Sequence, residues 1–347
     1  MSAARLRRAV ARRLLRAAES RLPASLVRPR YLQHIRLGAR DLEGTVFKLA
    51  STPEEREGAF RLVHDSYTRK GLLDSAPTGL KVTPYDVMPS TAIFIAMRGG
   101  AVVGTLSLIE DGPLGLPMDD VFPHETERVR RRGGRLAELS AYAIDPSVRG
   151  RATSLMLYNL MFRWVWWHRY TQDIVIAVHP RVTRFYEVVL LFDRLHARAS
   201  YHRFHNAPAE ALHLNLRGIW PRFEKLYARK SGGLPDAPRG DALNLSDFFG
   251  YREFAEIQLP AQPEHGEPTL PPAWRDDEIE RFVRTRRHHF SGLDAETRRL
   301  LREAHPSLTG MLADPPRPER ERRAAAEASE RRASGTPPYL LDTLPTT

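Results

Sequence analysis

The chain has 347 residues, 42% of them apolar, which excludes a wholly disordered or collagen-like protein. It contains no cysteine, so a disulfide framework, a thiolate zinc site, an iron–sulfur cluster and a cysteinyl acyl intermediate are all excluded, and the chain fits a reducing cytosol. The formal net charge of +11 is concentrated: residues 1–40 hold eleven arginines against one acid, Glu19, so +10 of it lies in that stretch.

Taken in order, the first predicted element is that basic arm. Across Arg5–Arg16 a helical period places Leu6, Val10 and Leu14 on one face with arginines around the rest. The pattern suits a helix lying on an anionic membrane through residues 1–22, where each nearby Arg contributes about 1 kcal/mol. A solvated terminus is the equal alternative. No stretch approaches the ~20 apolar residues of a membrane span.

Val46–Ala50 reads as a strand, and Ser51 or Thr52 followed by Pro53-Glu54-Glu55 reads as the start of a helix carrying Phe60, Val63, His64 and Tyr67 on one face up to Gly71. Residues 72–90 read as loop. Ile93–Met97 and Ala101–Ile109 flank Arg98-Gly99-Gly100 as a hairpin. A helix over Asp119–Arg132 precedes a strand over Arg135–Ile144, the turn Asp145-Pro146 and an almost wholly apolar helix over Leu155–Trp167. That helix is either core or the wall of an acyl tunnel. Asp173–Val178 is a buried strand and His179–Phe192 a helix. Leu195–Phe204 and Ala209–Leu216 are strands around the turn Asn206-Ala207-Pro208. Alternation of this kind predicts an α/β domain, a mixed sheet covered by helices on both faces.

The predicted organisation is a basic arm over 1–40, the α/β domain over 44–230, a proline-rich linker with a short helical extension over 231–312, and a disordered tail over 313–347. Short helices are expected at Asp276–Arg287 and Asp294–Ala304. His196, His202 and His205 invite a metal site, but the last two are expected on opposite faces of one strand with no carboxylate at ligand spacing, so no metal is predicted.

One segment carries chemistry: Glu138-Leu139-Ser140-Ala141-Tyr142-Ala143-Ile144 leading through Arg149 and Arg151 into a helix. A strand, a turn and a helix N-terminus favour a phosphate, and two guanidiniums add to it. An ordinary βα turn with surface arginines is the plain alternative. The segment resembles the signature of the GNAT acyltransferase superfamily, with the loop Arg149-x-x-Ala152-x-Ser154 where the superfamily has Arg/Gln-x-x-Gly-x-Gly/Ala. His179–Glu187, with its Phe185-Tyr186 pair, is similar to the next superfamily element. Asn206–Leu216 and Val63–Leu72 are similar to segments of one branch, the long-chain N-acyl amino acid synthases (FeeM-type), relatives of the acyl-homoserine lactone synthases. The resemblance covers 44–230.

The resemblance implies a mostly antiparallel GNAT-like sheet and an N-acyltransferase. A long-chain acyl group would pass from an acyl carrier protein, or acyl-CoA, to the amine of an amino acid. No bound cofactor is implied; the co-substrate is a carrier-protein phosphopantetheine or coenzyme A thioester. The altered glycines suit the single phosphate of a carrier-protein arm. Arg149, Arg151, Ala152 and Ser154 would hold that arm, and the splayed strand would offer the amides of Tyr142 and Ile144. Glu138 is the implied base. By strand period it shares a face with Ser140 and Tyr142, unless it simply faces solvent or a salt bridge. Tyr186 is the implied proton donor to the leaving thiolate, or else a half-buried aromatic. Rival readings are an acyl-homoserine-lactone-type synthase, an acetyl-CoA N-acetyltransferase and a membrane-surface adaptor with a degenerate fold. Nucleic acid is disfavoured by the near-neutral body. The expected location is cytoplasmic, peripheral on the inner face of the membrane.

Overall fold

The computed structural model describes residues 22–33, 42–148, 152–227, 245–250, 253–260 and 274–313. The chain divides into two compact units, one up to Glu278 and one from Ile279 onward.

In the first unit a short helix, α1 (Ala24–Gln33), precedes β1 (Thr45–Leu49) and α2 (Pro53–Arg69). The start of α2 is as its sequence dictates: Thr52 accepts from the Glu55 amide, Pro53 occupies the first turn, and Glu55 reaches back to the Ser51 amide at 2.8 Å and to Lys48 Nζ at 2.7 Å. Next come β2 (Thr91–Arg98), β3 (Ala101–Glu110), α3 (Pro123–Arg130), β4 (Leu136–Ile144), α4 (Ala152–Trp164) and β5 (Asp173–Val178). The unit continues with α5 (Pro180–Val189), β6 (Asp193–Tyr201), β7 (Ala207–Asn215), α6 (Ile219–Tyr227), α7 (Leu245–Gly250) and β8 (Ile257–Gln258). The eight strands form one sheet in the order β6-β7-β5-β4-β3-β2-β1-β8, antiparallel except where β4 meets β5 and β1 meets β8. The mixed, mostly antiparallel sheet is the one expected.

The main core lies on the face where Phe94, Leu106, Leu108 and Leu139 meet α4. Gly104 is required there, because a Cβ would stand 2.9 Å from Ile144 Cδ1 and 3.1 Å from Thr153 Cγ2. Phe162 of α4 packs on Phe249, Phe223 and Trp166 at ring separations of 5.2, 6.1 and 5.2 Å. Every residue of α4 but Ser154 is buried, so the helix reads as core. α7 and β8, which the sequence reading leaves inside the linker, join this layer: Asn159 Nδ2 donates to Phe248 O at 2.5 Å, and Ile257 pairs with Phe47. On the other face α2 lays Leu62 and Val63 on Ala141 and Ala143, and a second cluster gathers Met118, Phe122 and Val129 over Leu136 and Val175.

Three expectations are corrected. Helix 119–132 is a 3₁₀ turn at Pro117–Asp120 followed by α3, because Pro123 restarts it. The turn between β6 and β7 is 202–206, and Ala207 and Pro208 belong to β7. His202 and His205 therefore lie in a turn rather than on one strand. His205 adopts a left-handed backbone and its ring meets Gly71 O at 3.1 Å.

The second unit begins within α8 (Asp276–Thr285) and continues with α9 (Ala295–Ala304), capped by Asp294, which accepts from the Thr297 amide at 2.7 Å. Leu300, Leu301 and Leu308 are buried in it.

Candidate active site

The site grows from a split in the sheet. β4 and β5 run side by side for three residue pairs only, ending at Glu138↔Val175. Beyond that point β5 keeps its partner β7, from Ile176↔Leu212 to Val178↔Glu210, while β4 stays with β3. The cause is local to β4: Ala141 has φ 50°, and the β3–β4 register jumps between Thr105 and Ser107. This is a bulge, one extra residue that bends the strand away. Past it, the Asp145 amide donates to Val103 O on β3 at 2.8 Å. Alternation then aims the amides of Ile144 and Tyr142 at the edge that β5 has left.

The bulge also corrects the expectation that Glu138, Ser140 and Tyr142 share a face. Tyr142 and Ile144 pack with the α4 core, as Ala137 and Leu139 do before the bulge, whereas Ala141 and Ala143 face α2. One extra residue inverts the alternation, so Glu138 and Ser140 look toward the α2 face and Tyr142 toward α4.

On the α4 side the hydroxyls meet in pairs. Tyr142 OH and Ser154 Oγ are 2.5 Å apart, the Tyr142 ring stacks on Tyr158 at 5.9 Å, and Tyr158 OH meets Tyr186 OH at 2.8 Å. Burial raises the pKa of all three tyrosines; for Tyr186 the hydrogen bond from Tyr158 opposes this without reversing it. Each stays a neutral donor at any physiological pH. Ser154 lies in the first turn of α4, and Ala152 at its start is 1% exposed. Arg149 and Arg151 lie outside the described residues.

On the α2 side stands Glu138, 3% exposed, with one hydrogen bond, from the Met118 amide to Oε2 at 2.7 Å. Burial pushes its carboxyl up to about 8; the Met118 amide opposes the rise and the nearby Asp119 adds to it. Its setting is polar for a sheet interior, with Ser140 two residues on and Ser107 opposite Ser140 on β3. Three tyrosines are close enough to sense its charge. Tyr67 of α2 is driven by burial to about 12, with Asp86 and Glu138 adding to it. Tyr85 also rises to about 12, and Tyr201 rises further. Phe204 meets Tyr67 and Tyr201 edge-on at 5.5 and 4.7 Å. Tyr85 and Tyr201 donate to Leu114 O and Pro117 O, which pins the segment bearing Met118 over the carboxylate.

The structure thus brings Tyr142 to Ser154 and, through Tyr158, to Tyr186. Glu138 is on the opposite face and has no hydrogen bond to them. Tyr67 lies between, felt electrostatically by Tyr158 and Tyr186 and itself sensing Glu138. Sequence reasoning missed Tyr67, Tyr85, Tyr158, Tyr201 and Phe204 as site residues; Tyr67 alone carried a signal, in the segment Val63–Leu72. His64, from that segment, is structural: its Nε2 accepts from the Ala76 amide at 3.0 Å. A polar cleft of about 410 Å³ bordered by Glu110, Asp111, Arg135 and Arg169 lies at the far end of β4, and its acids are paired with Arg169 and Arg130.

A mostly antiparallel sheet parted between two parallel neighbours, with a helix N-terminus beside the parting, is the arrangement that the GNAT resemblance implies. Residues 58–215 match the model of the family described as N-acyl amino acid synthase FeeM. Among solved structures, FeeM, an N-acyl amino acid synthase from uncultured soil microbes, is 27% identical over 51% of this chain and 93% of its own, with a TM-score of 0.45. The CoA-dependent acyl-homoserine lactone synthase BjaI, solved with MTA, is 22% identical over 59% and 99%, with a TM-score of 0.39. A GNAT-family acetyltransferase from Streptococcus pneumoniae is 9% identical over 49% and 98%, with a TM-score of 0.36. No match is found among the curated proteins.

Proposed function

We propose that the protein transfers a long acyl chain from the thioester of an acyl carrier protein, or of coenzyme A, to the amine of an amino acid. The observation that carries this reading is the buried Glu138 carboxyl on the α2 face at the last β4–β5 pair, with the buried Tyr186 holding its proton on the α4 face.

The chemistry follows from those two environments. The amine arrives as an ammonium and must lose a proton before it can attack. A carboxylate held near 8 is matched to an amine far better than one near 4.5, because its conjugate acid is a weaker acid. The freed amine forms a C–N bond at the thioester carbonyl, whose oxygen is met by the amides of Tyr142 and Ile144. The C–S bond then breaks and the thiolate takes its proton from Tyr186, with Tyr158 hydrogen-bonded behind it. The balance leaves one proton on the thiol and one released to water.

The loop Arg149–Ser154 holds the phosphate of the arm, and its missing glycines favour the single phosphate of a carrier protein over a nucleotide diphosphate. Residues 1–22 dock the enzyme on the inner, anionic face of the cytoplasmic membrane. Leu22 and Leu26 are 43% and 66% exposed.

Mass spectrometry of lipid extracts tests the reading. Cells expressing the wild type are expected to contain N-acyl amino acids that cells expressing Glu138→Gln lack. Identical extracts would overturn it. Assays with acyl carrier protein and acyl-CoA separate the two donors.

A further inference from the structure

The α2 face holds a cation that the chemistry above leaves unused. Lys81 lies in the loop between α2 and β2, its side chain 17% exposed. Its backbone is anchored by donation to Phe60 O at 3.3 Å, beside the buried Leu80. Its one ion pair among the described residues is long, with Nζ 3.8 Å from Asp86 Oδ2. That oxygen already accepts from both the amide and the hydroxyl of Thr83, each at 2.7 Å. Asp86 is therefore satisfied by the cap it provides, and the lysine's three protons have room for another acceptor.

Of the other cations near this face, Lys70 stands over the Tyr67 ring at 5.7 Å, and two arginines are held in ion pairs. Arg130 grips Asp111 at 2.6 and 2.9 Å and Asp119 at 2.5 Å, and Arg203 pairs with Asp120 at 2.8 Å. Lys81 differs from them in a second respect: its charge reaches Glu138, while the same loop supplies Tyr85 beside that carboxylate.

We propose that Lys81 binds the carboxylate of the acceptor amino acid while Glu138 receives the proton of its ammonium group. The inference rests on the N-acyl amino acid reading above and sharpens it. A free amino acid carries both charges on substituents of one carbon, so its site needs an anion and a cation close together and shielded from bulk water. Glu138, with Tyr67, Tyr85 and Tyr201 around it, and the partly buried Lys81, whose charge it feels, offer such a pair. An amine without a carboxylate would leave the lysine facing an empty, partly desolvated space, and a site built for a polar group discriminates strongly against its absence. Lys81 is in this sense a specificity residue; it touches the substrate but takes no part in bond exchange.

The test uses the full-length enzyme. The twenty common L-amino acids are assayed with one acyl donor, and the best acceptor is then compared with its carboxamide. The wild type is expected to prefer the acid by about ten- to a hundredfold in kcat/KM, the value of a charge-assisted hydrogen bond. Lys81→Met should erase that preference, chiefly by raising the KM for the acid, and leave the donor KM within about twofold. Lys81→Arg should restore part of the preference. Should Lys81→Met fail to fold, the wild-type ratio together with Lys81→Arg decides. A wild type that acylates acid and carboxamide equally overturns the role of Lys81 while N-acyl transfer stands, as does a Lys81→Met enzyme that keeps the preference. A wild type that yields no N-acyl product from any acceptor overturns the underlying reading and this inference with it.

Discussion

On the α4 face of the parted sheet, hydroxyls meet in pairs inside an aromatic stack, and burial keeps every one of them protonated. On the α2 face the Glu138 carboxyl sits among three tyrosines with one hydrogen bond, from a backbone amide, and the same burial brings its titration to about 8. Desolvation disfavours charge in both places, but the starting values differ by more than five units, so one face is left with donors and the other with a group that changes state at working pH. A reaction that removes a proton from an amine and delivers one to a thiol needs that asymmetry.

The strongest way to break the comparison is Glu138→Gln. It should lower kcat by about 10²–10⁴, with the loss shrinking as pH rises and free amine becomes available. Wild-type turnover should climb with pH and level off near 8 as the carboxylate forms. Stability should run the other way. The folded-state pKa lies above the unfolded value, so the folded protein holds a proton that the unfolded chain has lost; stability falls by about 1.4 kcal/mol per pH unit from about 5 to 8. Thermal unfolding of Glu138→Gln against pH should lack this slope. A variant with full activity at neutral pH would remove Glu138 from the chemistry.

Tyr186→Phe probes the other face and should cost about 10²-fold in kcat with a high-pKa leaving thiol, and far less with an activated thioester. A uniform loss across thioesters would make Tyr186 a packing residue. Next in size, Arg149→Ala and Arg151→Ala should each raise the donor KM about ten- to a hundredfold and leave the acceptor KM unchanged. Donor and acceptor KM rising together would place the arm elsewhere. The smallest effect concerns the bulge. Ala141→Gly relieves a left-handed residue and should stabilise by up to about 1 kcal/mol, whereas Ala141→Val should destabilise by about 1–2 kcal/mol. Denaturant melts read both.

The sheet was legible because its strands advertise themselves: alternation, Gly99-Gly100 and the apolar run Asp173–Val178 are local signals, and observed and expected bounds differ by a residue or two in most strands. Glu138 stood out as an acid in such a strand. The tyrosines around it did not, since Tyr67, Tyr85 and Tyr201 come from a helix, a loop and a distant strand that only the fold assembles. Ala141 gave no warning either. Positive φ usually announces itself with glycine or asparagine, and here tertiary packing imposes it on an alanine. The inverted face of Tyr142 was unreadable for that reason alone.

The bulge has a consequence for how such an enzyme can change. It works as a half-period phase shift: before Ala141 the odd-numbered residues Ala137 and Leu139 of β4 meet α4, and after it the even-numbered Tyr142 and Ile144 do. Substitutions at 138 or 140 therefore act on the α2 face, and substitutions at 142 or 144 on the α4 face. Deleting Ala141 would leave Tyr142 and Ile144 on the α4 face, in ordinary alternation with Leu139, but would remove the extra residue that bends β4 away from β5. One extra backbone residue thus does two things along the nine residues of β4: it resets which face each later side chain meets, and it parts the strand from β5.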